Sequence, residues 1–75
     1  MFAQIYREEL KKLRKQYPKG CTVELIEMRD PYREMPPGMT GKVMFVDDCG
    51  DVHVRWSNGS GLAAIYGVDR IRRIK

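Results

Sequence analysis

Asp47, Asp48, Cys49, Asp51 and His53 fall within seven positions, inside the stretch GKVMFVDDCGDVHVRW (residues 41–56). Carboxylates, thiols and imidazoles are the side chains that ligate metals and move protons, so this cluster is the first place to look for chemistry. The spacing argues against it. Neither the paired Cys and His positions of a zinc site nor the alternating acidic loop of an EF-hand occurs here. His53 has no acid or nucleophile at a recognisable spacing, and no Gly-rich loop is placed to cradle phosphate. The expectation is a protein that is not an enzyme, with no catalytic residue, no metal and no cofactor.

Turn chemistry accounts for the same residues. VHVRW alternates, with Val52, Val54 and Trp56 on one face and His53 and Arg55 on the other, as in a half-buried strand. KVMFV (42–46) precedes it, apolar on both faces, which suits a central strand or one that bends so that both faces meet protein. Asp47–Asp51, with Gly50 inside, then reads as the loop of a hairpin, where Asp and Gly are favoured. His53 is expected on the polar face, in water, and Trp56 in the core.

The remaining elements follow from the same signals. FAQIYREELKKLRKQY is helical by pattern: Ala3, Tyr6, Leu10, Leu13 and Tyr17 form one stripe, widened by Phe2 and Ile5. Glu8 precedes Lys12 in the favourable ion-pair order, and Pro18 stops the helix. The stripe is too short for a coiled coil and is expected to pack on the protein's own sheet. CTVELIEM (21–28) reads as a strand with Cys21, Val23 and Leu25 on one face. Pro37-Gly38 suits the centre of a type II turn. Asn58-Gly59 marks a second hairpin, into LAAIY (62–66), and GVDRIRRIK supplies a last strand anchored by Ile71 and Ile74.

These elements predict a mainly β fold. It is a small SH3-like antiparallel barrel of about five strands over residues 18–75, preceded by an N-terminal amphipathic α-helix over residues 1–17, one domain in all. Seventy-five residues leave few core positions to spare for buried chemistry. Hydrophobic content of 43% and charged content of 32% suit a folded chain. No apolar run reaches membrane-spanning length, and the N-terminus lacks the pattern of a signal peptide. Two distant cysteines, Cys21 and Cys49, are read as reduced thiols in a cytoplasmic protein.

The net charge is +4, and it is unevenly spread. Residues 1–20 carry a balance of +4, residues 21–69 one of −4, and residues 70–75 again +4. A footprint for nucleic acid must then lie at the chain ends. Lys11, Lys12, Arg14 and Lys15 on the helix, with Arg70, Arg72, Arg73 and Lys75 in the tail, are the candidate phosphate contacts. First and last strands lie close together in such barrels, so the two sets are expected to pool opposite the acidic turns. The plainer reading of the helix cations is a solvated face opposite the core stripe. The alternative footprint is for a protein partner: Asp47, Asp48 and Asp51 at the turn and Tyr32 in the Pro-rich loop, whose plainer reading is a plug over one barrel end.

Residues 17–74 as a set resemble a bacterial and phage family known as domain of unknown function 4314. The signposts are YPKG, the DPY loop, PPG followed by G-K-V, VDD-x-G, V-R-W-x-NGS-x-L and a closing DR. Gly61 and Ala63 are departures, where bulkier residues could sit in the fourth strand. The resemblance implies an SH3-like barrel, often encoded on mobile genetic elements, with no assigned catalytic residue. The two functional expectations are therefore a sequence-nonspecific nucleic-acid binder and, as the alternative, a protein-docking adapter or anti-CRISPR-like inhibitor of host nucleoprotein machinery.

Overall fold

The computed structural model describes residues 6–29 and 35–75. The order of elements is α1 (Arg7–Gln16), β1 (Thr22–Glu27), β2 (Thr40–Val46), β3 (Val52–Trp56), β4 (Ala63–Ala64) and β5 (Arg70–Arg73). The strands form one antiparallel sheet in the order β4-β3-β2-β1-β5. This is the expected mainly β, barrel-like architecture with one N-terminal helix. The expected closure of the sheet is not seen: β4 and β5 are its two edges and are not paired with each other. The fourth strand is also shorter than the expected 62–66, because only Ala63 and Ala64 face β3 in register, opposite His53 and Val52.

Alternation places the core where the pattern put it. Val23, Leu25, Val43, Val54 and Trp56 are almost completely buried, and Tyr17, Cys21, Met35, Val46, Val52 and Ala64 complete the cluster. The indole N–H of Trp56 donates to the Leu62 carbonyl at 2.9 Å, so its one polar atom is satisfied inside. The two-sided apolar pattern of β2 is resolved by a bulge between Val43 and Phe45. The extra residue shifts the phase, so that Val43 and Val46 both face inward while Phe45 turns out. A second irregularity, between Leu25 and Glu27, lets β1 bend from β2 towards β5.

Both hairpins use one turn. In Asp47–Asp51, Gly50 N–H donates to Asp47 O and Asp47 N–H to Asp51 O, both at 3.0 Å. In Trp56–Ser60, Gly59 N–H donates to Trp56 O and Trp56 N–H to Ser60 O, both at 2.9 Å. Gly50 and Gly59 have positive φ while Asn58 does not, so Asn58-Gly59 is not the two-residue turn that this pair usually forms. Each loop is three residues long and ends on a left-handed glycine. Pro37-Gly38 behaves as expected, with Met39 N–H donating to Pro36 O at 3.3 Å.

Within the described residues, α1 has Glu8 and Glu9 in its first turn and Arg14 and Lys15 in its last, matching the helix dipole. Lys12 meets Glu9 at 3.8 Å, not the expected Glu8. Leu10 and Leu13 lie half-buried against the barrel core, and Tyr17 closes it, so the helix packs on its own sheet. No helix among the described residues is long and apolar enough to cross a membrane.

The tightest constraint in the sheet is Gly41, opposite Trp56 in register. A Cβ there would lie 2.6 Å from Val54 Cγ1 and 2.7 Å from the Arg55 carbonyl. Gly41→Ala should therefore cost about 1–3 kcal/mol by overpacking, a large share of what so small a domain has. Urea unfolding followed by Trp56 fluorescence reads the loss, and an unchanged midpoint would show that β2 and β3 do not approach so closely.

Candidate functional site

The cluster around Asp47 is assembled by the β2–β3 turn. Asp47 Oδ1 accepts the backbone N–H groups of Cys49 and Asp51, both at 3.0 Å. Its Oδ2 lies 2.9 Å from His53 Nε2. An ionised carboxylate only accepts, so Nε2 is the ring nitrogen that carries the proton. Burial pushes the Asp47 carboxyl upward, but the bonds from His53 and from the two turn N–H groups outweigh it and hold the group below the ordinary carboxylate range. His53 is thus not simply in water, as expected from its strand face. It is about two-thirds covered and stacked on Phe45, its register partner on β2, with ring centroids 4.2 Å apart and planes 11° from parallel.

Asp51 and Asp69 are committed to backbone groups as well. Asp51 Oδ1 accepts the Tyr66 N–H at 2.8 Å, joining the β2–β3 turn to the β4–β5 connection. Asp69, which the sequence reading did not single out, accepts the Arg29 N–H at 2.8 Å and the Ile65 N–H at 2.9 Å. Asp48 stands almost fully exposed and pairs with Arg14 at 2.9 Å. Of Asp47, Asp48 and Asp51, Asp48 is the exposed one and the other two are half-buried. Tyr32 lies outside the described residues. Among the described residues no group of three His, Cys, Asp or Glu side chains is placed to hold a metal ion. Both thiols are free, Cys21 buried and Cys49 exposed.

The cationic candidates divide. The tail does meet the helix end: Arg73 Nη1 donates to the Gln16 carbonyl at 3.3 Å, and the Tyr17 hydroxyl reaches the Ile71 carbonyl at 3.5 Å. Thr22 N–H donates to Lys75 O at 3.0 Å, which continues the pairing of β1 with the tail. Arg14 does not join them. Beside the buried stripe it faces β2, donating to the Val46 carbonyl at 3.2 Å and to Asp48. It therefore belongs to the acidic turn rather than lying opposite it. Arg72 is drawn to Glu24 at 2.6 Å and Lys12 to Glu9. Lys11, Lys15, Arg70, Arg73 and Lys75 have no carboxylate partner among the described residues.

Two further cations were missed by summing charge along the chain. Lys42 and Arg55 are direct register partners on β2 and β3, both exposed. Lys42 Nζ donates to Thr22 Oγ1 at 2.9 Å, next to the Lys75 pairing. Burial raises the Cys21 thiol above its ordinary range, and the charges of Arg73 and Lys42 offset this only in part. Their signal was present in the alternation, since both occupy out-facing positions. It was hidden because they sit inside a segment whose balance is acidic.

Asp47 gives a test of this division of labour. Its folded-state pKa is depressed, so its contribution to stability is complete above the unfolded carboxylate pKa and disappears as pH falls through the folded value. Asp47→Asn should cost about 1–3 kcal/mol at neutral pH, and should flatten the loss of stability between roughly pH 5 and pH 2. Asp48→Asn, removing an exposed pair, should change stability by no more than about 1 kcal/mol. Urea midpoints across that range measure both, and equal effects for the two variants would contradict the assignment.

Nothing matches the chain in the comparisons with curated proteins and with solved structures. A family model, described as Domain of unknown function (DUF4314), matches residues 6–74. The match takes in α1, which the resemblance read from the sequence had left outside, so helix and sheet both fall within the family match. The chain belongs to the DUF4314 family.

Proposed function

We propose that this protein is a nonenzymatic binding module that holds a nucleic-acid backbone on the cationic end of its sheet. The observation that carries the reading is the meeting of the chain's two cationic ends, where Arg73 donates to the Gln16 carbonyl at the end of α1. Lys42 and Arg55 extend the same charge across β2 and β3. Clustered and exposed charge of one sign is what phosphate neutralisation needs. Of the eight cations expected from the sequence, Lys11, Lys15, Arg70, Arg73 and Lys75 remain available for that role. Arg14, Arg72 and Lys12 work at reduced effect, since each faces a carboxylate.

The docking alternative, through Asp47, Asp48 and Asp51, is less well supported. Two of those carboxylates already accept backbone N–H groups, and a partner would have to compete with the turn itself.

Fluorescence anisotropy with labelled DNA over a series of salt concentrations tests the proposal. Affinity should fall steeply with salt. The combined variant Lys15→Gln, Lys42→Gln, Lys75→Gln should bind more weakly, with a slope shallower by about 0.7–0.9 per phosphate contact removed. A wild-type protein that does not bind, or a variant that keeps the full slope, would remove the reading.

A further inference from the structure

We propose that the groove beside Phe45 is a stacking site for one unpaired nucleobase, so that the polyanion held by this protein is a single strand. The inference rests on the backbone-binding reading above and narrows its ligand.

The β2 bulge falls between Val43 and Phe45. It turns Phe45 outward, leaving it 54% exposed in a chain that buries Val43 and Val46 on either side of it. An exposed Phe offers apolar surface that the core does not use. It is also pre-organised. His53 stacks against one face of the ring, and His53 is held at its edge by Asp47, whose oxygens are already occupied by that imidazole and by the turn. Neither ring has to be ordered at the moment of binding, which lowers the entropic cost of forming a stack.

The groove has about 550 Å³ and lies between this aromatic pair, Met44 and Arg55 on one side and the Gly59–Gly61 turn on the other. That size falls in the usual range of small-ligand clefts, about 300–1,000 Å³. Gly59 and Gly61 leave the far wall open: a Cβ at either would meet nothing within 4 Å. None of the lining residues is acidic.

Charge selects the occupant. Arg55 lines the groove and pairs in register with Lys42, whose ammonium reaches Thr22 on β1, the strand that pairs with the basic tail. A strand lying across this face would keep its phosphates on the cations and bring a base over Phe45. Base–aromatic stacking beside a cationic track is the sequence-tolerant mode of single-strand binding. A duplex keeps its bases stacked on each other and offers no free face. A proline-rich peptide could also use an aromatic groove, but it would leave the cations unmatched.

The test compares a labelled oligothymidine with a duplex of equal length, by anisotropy at fixed salt. Wild type should prefer the single strand. Phe45→Ala should lower single-strand affinity about tenfold, with the salt slope and the duplex affinity unchanged; its side chain is exposed, and circular dichroism checks the fold. Phe45→Trp should retain affinity, and its fluorescence should be quenched by the oligonucleotide, whereas buried Trp56 should not respond. Equal binding of Phe45→Ala and wild type, no quenching in Phe45→Trp, or equal affinity for duplex and single strand would each overturn the stacking site while leaving backbone binding intact. Absence of a salt slope in wild type would remove both readings. Binding of a proline-rich peptide in place of the oligonucleotide would overturn the choice of ligand.

Discussion

The fold depends on carboxylates standing in for strand pairing. A sheet of five short strands in so small a chain does not close by its own backbone ladder, because β4 contributes only two residues. Its loops are fixed instead by three aspartates that together accept five backbone N–H groups, those of Cys49, Asp51, Tyr66, Arg29 and Ile65. A charged acceptor makes a stronger hydrogen bond than a carbonyl does, and each bond satisfies a loop N–H that no strand partner reaches. Asp51 joins one hairpin to the next connection, and Asp69 joins that connection to the end of β1.

This arrangement sets the electrostatics of the whole molecule. Much of the negative charge in the middle of the chain is occupied in holding loops together. The positive charge at the other end of the sheet is, in larger part, unopposed. A net charge of +4 therefore understates the asymmetry that a polyanion would meet. Proximity in space matters more here than position in sequence: Lys42 and Arg55 lie in the acidic middle of the chain, yet stand in register with each other on the same sheet as the basic tail.

Local signals were legible in the sequence, and non-local ones were not. The alternation of VHVRW gave β3 with its true limits and put Trp56 in the core. Cys21, Val23 and Leu25 were assigned correctly to the inner face, and the helix was placed on its own sheet. The turn at Asp47–Asp51 was recognised, but its details depend on three-dimensional neighbours. His53 looked solvated because alternation reports which face a residue takes and not what lies on that face; Phe45 is there only because a bulge changed the phase of β2. Arg14 sat in a run of similar cations, and nothing in that run tells that this one points at Val46 and Asp48. The bonds made by Asp51 and Asp69 reach partners 15 and 40 residues away, beyond any periodic pattern. Asp69 in particular read only as part of a short turn.

An open sheet has two flanks that invite another chain to add a strand. They are guarded by different means. On one side β4 is too brief to template a neighbour. On the other, β5 reads Arg-Ile-Arg-Arg, and three guanidinium groups would repel an approaching copy of themselves. The arginines that suit a polyanion thus also protect the protein from self-assembly, so neutralising them would expose a ribbon prone to intermolecular growth.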